Sequence, residues 1–159
     1  EMDISFFDSN CHLIPPLRGI SDRDALRAGL VDGTIDAVCS DHAPVDEDAK
    51  LVPFGESEAG ATCVELLLSL VLKWAKEINI PLAVAVAKVT SEPAKILGVE
   101  AGNLSVGSAA DLCIFDPDQH WRVEASMLRS QGKNTPFLGM ELQGKVKYTL
   151  ANGIIVYED

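Results

Sequence analysis

The chain has 159 residues, 47% of them hydrophobic, and a formal net charge of −11 from 24 acidic and 13 basic side chains. This apolar fraction supports a packed core and excludes a disordered chain. The acidic balance argues against nucleic acid as a partner, since there is no basic surplus to displace phosphate counterions. No run of about 18 apolar residues predicts a membrane span.

The cysteines and the opening residues both indicate a cytoplasmic setting. Cys11, Cys39, Cys63 and Cys113 are widely spaced without a CxxC pair. Such cysteines commonly act as small apolar core groups, so we expect buried thiols in a reducing compartment. A disulfide framework or a cysteine zinc site is the alternative. Residues 1–5 lack the basic and apolar regions of a signal peptide, and residues 4–7 resemble the end of a strand.

Helix and loop signals alternate in the first 33 residues. Pro15 and Pro16 force an extended segment, because proline fixes its own φ and disfavours helix at the preceding residue. Ser21 with Asp24 resembles a capping box that begins a helix. Gly33 is placed to end this helix in the left-handed conformation.

An apolar run, Thr34–Ser40, follows this helix and ends in the polar sequence Asp41-His42-Ala43-Pro44. Such a run is typical of a strand buried on both faces of a parallel sheet. A helix, a tight turn, a buried strand and a polar loop form the second half of a βαβ unit.

The strongest helix signal covers Ala61–Ile78. Its polar residues recur every three or four positions and form only a narrow stripe that can face solvent. Most of the circumference of the helix must therefore be covered by other parts of the protein. A second helix is predicted from Pro81 to Val89, although its valines are also compatible with a strand. A third begins at Ser91 and ends at Gly98.

The pattern changes at Gly102, after which short β-prone segments dominate. Asn152-Gly153, between two β-prone runs, is a strong type I′ hairpin signal. The chain therefore divides into parallel α/β layering over residues 1–101 and a separate β module over residues 102–159. The predicted strands are Asp111–Asp116, Gln119–Val123 and Lys145–Tyr157.

No local motif assembles a complete catalytic or metal site. His12, His42 and His120 are far apart, without HxH or HExxH, and a single histidine is more often structural than a ligand. Asp41 remains, because it follows the predicted buried strand at the end where barrel enzymes place their active sites. A carboxylate there can ligate a metal or transfer a proton. An Asx-type turn that caps the next loop is the alternative.

Several segments in combination resemble the dihydroorotases, a family of the amidohydrolase superfamily. The resemblance covers nearly the whole chain and identifies it as the C-terminal portion of such a protein. The matching segments are Asp8-Ser9-Asn10, Pro15-Pro16-Leu17-Arg18, Asp32-Gly33-Thr34-Ile35-Asp36, the strand and loop Asp36–Pro44, Pro53-Phe54-Gly55, Asn134-Thr135-Pro136-Phe137, Gly139, Gly144 and Asn152-Gly153.

This resemblance implies an α/β fold and a specific reaction. Residues 1–101 would be the last strands and helices of a metal-dependent hydrolase TIM barrel, and residues 102–159 part of a small β-sandwich. The enzyme would use zinc to interconvert N-carbamoyl-aspartate and dihydroorotate in pyrimidine biosynthesis. Asp41 would ligate the metal and act as the catalytic proton shuttle, and the backbone at Phe54 and Gly55 would contact the substrate. This chain alone is expected to hold no zinc.

Two positions depart from the active members of the family. Ile14 stands where they carry Asn, and Val45 where they carry His. Both family residues hydrogen-bond the substrate, so their loss predicts reduced or lost activity. The alternative is a non-catalytic dihydroorotase-like subunit that scaffolds aspartate transcarbamoylase. Allantoinases and dihydropyrimidinases fit less well, since Pro-Pro-Leu-Arg and Pro-Phe-Gly favour dihydroorotase.

The apolar surface of an isolated C-terminal portion of a barrel must be covered by a partner. The Ala61–Ile78 helix is apolar on most sides, and the predicted strand Thr34–Ser40 would have an open edge. We expect the N-terminal remainder of the same barrel, or other copies in a homo-oligomer, to cover these surfaces.

Overall fold

A computed structural model describes residues 6–159 of the chain. The predictions about a signal peptide in residues 1–5, and about Ile4 in a strand end, lie outside the described residues. The elements are α1 (Ile20–Asp32), α2 (Leu67–Glu77), α3 (Leu82–Ala87), α4 (Ser91–Leu97), β1 (Leu112–Arg122), β2 (Glu141–Ala151) and β3 (Ile154–Glu158), with 3-10 turns at Ser9–Cys11, Asp48–Lys50 and Ala125–Met127.

The chain divides into two compact units, and each is described by itself. The first contains the residues up to Ile35, together with Ser40–Leu67 and Val123–Met140. The second contains Asp36–Cys39, Leu68–Arg122 and Glu141–Asp159. The predicted domains, residues 1–101 and 102–159, stay a prediction.

Helix α1 confirms the predicted helix but not its predicted cap. The cap is Gly19, whose backbone N–H donates to Asp22 Oδ2 at 3.2 Å. Ser21 therefore lies inside the first turn, and the predicted capping box with Asp24 is wrong. The helix ends as expected at Gly33, which has a φ of +85°.

The described residues do not form the predicted buried strand Thr34–Ser40. Among residues 6–159 this segment pairs with no strand, and Asp36 and Cys39 are exposed. A parallel strand exists only through ladder bonds to its neighbours, and the described residues supply no parallel neighbour. The apolar pattern cannot reveal whether such a neighbour is present.

Helix α2 is shorter than the predicted Ala61–Ile78, because it begins only at Leu67. The backbone before it is engaged elsewhere: Ala61 O accepts from Ala43 N–H at 2.9 Å, and Thr62 N–H donates to Asn134 O at 2.6 Å. The predicted solvent-exposed polar stripe is only partly formed, because Lys73 and Lys76 are exposed while Thr62 and Ser69 are buried. The two following helices are confirmed as α3 and α4, with helix rather than strand over the valines.

The second unit contains an antiparallel sheet in the order β1-β2-β3. The two predicted strands Asp111–Asp116 and Gln119–Val123 are one strand, β1, with an irregularity between Asp116 and His120. The predicted hairpin is confirmed, since Asn152 and Gly153 have φ values of +50° and +78°. Strand β2 starts earlier than the predicted Lys145 because Glu141 already pairs with Arg122.

The buried contacts of the second unit join α2 to this sheet. Ser69 Oγ on α2 donates to Gly144 O on β2 at 2.8 Å and accepts from Trp121 Nε1 on β1 at 3.2 Å. Leu72 and Leu142 are buried alongside. In the part of the chain that the structure describes, no helix combines the length and apolarity needed to cross a membrane.

The thiols are less buried than predicted. Cys11 is buried and Cys63 half-buried, but Cys39 and Cys113 are exposed, and no disulfide joins the four. Cys39 is exposed because its segment forms no sandwiched strand, and Cys113 lies on an exposed position of β1. The expectation of uniformly buried cysteines is therefore wrong.

Candidate functional site

Asp41 has an unusual backbone conformation in the first unit. Its φ is +44°, in the left-handed region that residues other than glycine rarely adopt, and its side chain is exposed. Backbone strain of this kind is common where a side chain must be aimed for function. We call residues 41–45 the Asp41 loop.

His42 is bound to the backbone rather than presented as a ligand. Its Nδ1 accepts hydrogen bonds from the N–H groups of Cys63, at 3.2 Å, and Val64, at 3.3 Å. A nitrogen that accepts from amides carries no proton, so in the neutral ring the proton is on Nε2. The geometry favours the structural role that the sequence indicated for a single histidine.

The Asp41 loop is held by Asn134, which is only 6% exposed. Asn134 Oδ1 accepts from Val45 N–H at 3.0 Å, and Asn134 Nδ2 donates to Gly60 O at 3.1 Å. Gly60 itself lies against the loop, because a Cβ there would be 2.5 Å from Ala43 O. In the sequence, Asn134 stands only within a segment that matches the family, and no local pattern indicates this role.

The predicted substrate segment packs on a histidine. The ring of Phe54 stacks on His12 at 4.8 Å between centroids, while Gly55 is exposed. Ser57 Oγ donates to Phe54 O at 2.9 Å, so the Ser57 hydroxyl proton is used and His12 Nδ1, 3.0 Å away, is the donor to Ser57 Oγ. In the neutral ring, His12 Nε2 therefore has a lone pair beside this segment. The 45-residue separation of His12 and Ser57 explains why the sequence did not reveal the pair.

The buried cation Lys50 joins the loops around the segment at Phe54 and Gly55. Its Nζ donates to the carbonyl oxygens of Ser9 at 2.9 Å, Glu58 at 2.6 Å and His12 at 3.4 Å. Burial lowers the pKa of Lys50, although the carboxylate of Asp8 acts in the opposite direction. All three ammonium protons have carbonyl partners, which indicates a structural role for which the sequence carries no local signal.

The two departures from the family pattern lie in different surroundings. Val45 is half-buried and lines a cavity of about 380 Å³, together with Asn10, Asn134 and Leu138. Ile14 is 74% exposed and is not among the described residues that line this cavity. The structure thus brings Val45 and Asn134 together but does not bring Ile14 to them.

The donor set of the described residues does not fit a zinc ion. Within residues 6–159, no three His, Cys, Asp or Glu side chains are grouped to hold a metal. Asp41 offers one carboxylate, and neighbouring Cys63 is a poor thiolate source because burial raises the pKa of its thiol. A zinc site needs three or four protein ligands, so further ligands would have to come from outside the described residues.

Comparison with known sequences relates the chain to one family. The sequence profile of the amidohydrolase family matches residues 11–156. A dihydroorotase from Citrifermentans bemidjiense is 43% identical over 152 residues, which is 96% of this chain and 36% of that protein. A dihydroorotase-like protein from Pseudomonas putida is 45% identical over 151 residues, 95% of this chain and 35% of that protein.

Solved structures of related enzymes have a similar fold. A dihydropyrimidinase from Brevibacillus agri superposes with a TM-score of 0.85 at 25% identity, over 94% of this chain and 34% of that one. An L-hydantoinase from Arthrobacter aurescens gives 0.85 at 29% identity, over 99% of this chain and 36% of that one. The chain spans about a third of the length of each of these relatives.

Proposed function

This chain belongs to the amidohydrolase family, and on that premise we propose that it is the C-terminal portion of a dihydroorotase-type cyclic amidohydrolase. The observation that carries the proposal is the 43% identity with a dihydroorotase over 96% of the chain. The reaction would be the interconversion of N-carbamoyl-aspartate and dihydroorotate, a cytoplasmic step of pyrimidine biosynthesis. The matching segments indicated a likeness to the dihydroorotase family, and this sequence identity confirms it.

The family and the solved structures support an amidohydrolase fold, and the finer assignment is part of the proposal. Residues 1–101 would complete a TIM barrel whose earlier strands belong to the rest of the protein. Residues 102–159 would contribute to a β-sandwich, which their antiparallel sheet supports. The missing parallel neighbours of Thr34–Ser40 would then be the other strands of the barrel.

Asp41 is the proposed catalytic residue. Its carboxylate would be one ligand of zinc in the complete enzyme, and it would accept a proton from the attacking water and return it to the leaving amide nitrogen. Zinc, when bound, supplies the activation of that water. The left-handed φ of Asp41 and the buried network behind its loop support a side chain held in one direction.

The substrate would lie against the backbone at Phe54 and Gly55. Val45 and Ile14 would leave polar atoms of the substrate without partners, at about 1–3 kcal/mol each. The cavity beside Val45 supports its placement near the substrate, while the assignment of Ile14 rests on the family resemblance alone. Activity lower than that of ordinary dihydroorotases is therefore expected.

A second function is favoured by a specific observation. Relatives from Pseudomonas putida, at 45% identity, and Pseudomonas aeruginosa, at 40%, are named dihydroorotase-like proteins. Together with Ile14 and Val45, these names support a non-catalytic subunit, which would scaffold aspartate transcarbamoylase. The two functions differ in whether the complete protein turns over dihydroorotate.

The test uses the complete protein with zinc. Dihydroorotate hydrolysis should be measurable, and Asp41→Asn should abolish it because amide replaces the basic carboxylate. Asp118→Asn, at an exposed acid of the second unit, is the matched control and should retain the wild-type rate. Absence of turnover in the wild type, with co-purification of aspartate transcarbamoylase, would instead favour the scaffolding function.

A further inference from the structure

The Asp41 loop is attached to its surroundings by hydrogen bonds at three residues. The His42 ring accepts from two amides, Ala43 N–H donates to Ala61 O at 2.9 Å, and Val45 N–H donates to Asn134 Oδ1 at 3.0 Å. The first two attachments use the backbone of residues 61–64. The third alone depends on a side chain distant in sequence, 89 residues away.

Asn134 is itself held by the loop that precedes it, residues 128–133. The Glu65 carboxylate accepts from the N–H groups of Arg129, at 2.7 Å, and Ser130, at 2.8 Å. Lys133 Nζ donates to Leu128 O at 2.7 Å. These charged hydrogen bonds shape the loop that presents Asn134, and they are stronger than neutral ones.

The main chain on both sides of Asn134 is fixed by Thr62. Its N–H donates to Asn134 O at 2.6 Å, and its Oγ1 donates to Gly132 O at 2.8 Å. Asn134 also donates to Gly60 O, so its amide group joins the Asp41 loop to the segment that precedes α2. One buried side chain thus connects three segments of the first unit.

We propose that Asn134 is a positioning residue that aims Asp41 by holding Val45 and Gly60 in one buried network. The inference rests on the proposed function for its catalytic meaning, but the restraint on the loop is independent of it. Asp tolerates the left-handed region better than most residues, but the conformation still costs free energy, so the φ of Asp41 should relax when the restraint behind its loop is removed. Misplacement by about 1 Å can lower a rate about 10²-fold.

Three variants of the complete protein separate positioning from folding. Asn134→Ala removes the side-chain hydrogen bonds to Val45, Gly60 and Thr62, whereas Asn134→Asp keeps an oxygen that accepts from Val45 N–H but loses the donor to Gly60 O. Asn103→Ala is the matched control, because Asn103 Oδ1 also accepts two hydrogen bonds, from Ser105 N–H at 3.0 Å and Ser108 Oγ at 2.8 Å, in the other unit. Each is compared for dihydroorotate kcat and KM, and for amide hydrogen exchange in the peptide covering residues 41–47.

Asn134→Ala should lower kcat about 10²-fold with a KM within about threefold of wild type, and should speed exchange in this peptide. Asn134→Asp should give intermediate values of both, because it keeps the acceptor for Val45 N–H but loses the donor to Gly60 O, and Asn103→Ala should change neither. Unchanged exchange in Asn134→Ala would overturn the inference, as would equal loss of kcat in the Asn103→Ala control.

The experiment still gives an answer if a variant does not fold or if the wild-type protein is inactive. If Asn134→Ala does not fold, Asn134→Asp decides, because exchange in the peptide as slow as in the wild type, despite the lost donor to Gly60 O, would overturn the inference. If the wild-type protein does not hydrolyse dihydroorotate, the proposed function fails, while the exchange measurement still tests whether Asn134 holds the loop.

Discussion

At the scale of single residues, the proposed site combines a candidate catalytic carboxylate with two aliphatic replacements. Asp41 is exposed and has a strained φ, whereas Val45 lines a cavity that the family would furnish with a polar side chain. The complete protein would be a slow enzyme if it has lost only these substrate contacts. It would be inactive if its other metal ligands are lost as well.

The first prediction restores the polar residues in the complete protein. Ile14→Asn with Val45→His should raise kcat/KM by roughly 30- to 10⁴-fold, because two contacts of about 1–3 kcal/mol each are regained. Each single change should yield less than the pair. Steady-state kinetics with dihydroorotate measures this. A wild-type protein already as fast as ordinary dihydroorotases would contradict the prediction, and no gain in the double variant would support the scaffolding subunit.

The second prediction concerns Lys50. Lys50→Met should lower the free energy of unfolding by about 2–4 kcal/mol, because the carbonyls of Ser9, His12 and Glu58 lose their buried donor. Urea denaturation measures the change. Lys95→Met is the control: its exposed ion pair with Glu92 is screened by solvent and should contribute far less to stability. Equal effects of the two substitutions would show that burial of Lys50 is unimportant.

At the scale of elements, helix α2 and strand β2 form a close contact in the second unit. Gly144 has a φ of +90°, and a Cβ there would lie 2.3 Å from Leu72 Cδ1. The contact explains why glycine stands within a strand, where it would otherwise weaken the sheet.

The third prediction follows from this contact. Gly144→Ala should destabilise the protein by about 2–4 kcal/mol, from the left-handed φ plus displacement of Leu72. Gly107→Ala is the matched control, because Gly107 has a φ of +95° but nothing within 4 Å of its Cβ position. Thermal unfolding of both variants separates strain from overlap. If Gly107→Ala costs as much as Gly144→Ala, the helix–strand contact is not the cause.

At the scale of the whole molecule, much apolar surface is exposed in each unit. Ile14 in the first unit and Leu104 in the second are 74% and 86% exposed. Exposed large apolar side chains, where they are contiguous, mark surfaces that bind other protein. The chain spans about a third of its relatives, so the remainder of the same protein is the proposed partner.

The fourth prediction concerns the 159-residue chain purified alone. It should self-associate and bind a hydrophobic dye, because nothing else covers its apolar surface, and it should not hydrolyse dihydroorotate with added zinc, because Asp41 alone holds the metal poorly. Sedimentation, dye fluorescence and a turnover assay measure these properties, with the complete protein as control. A monomer that survives dilution and binds no dye, or measurable turnover, would contradict this prediction.

The sequence by itself determined the family and the elements with local signals. Helix α1 ends at Gly33, α4 ends at Gly98, and Asn152-Gly153 forms the hairpin, because each depends on a few adjacent residues. Tertiary structure alone decided the rest. Thr34–Ser40 forms no strand and α2 starts late, since both depend on distant pairing partners. Asn134 contacts Val45 across 89 residues, a separation over which no periodicity or motif carries information.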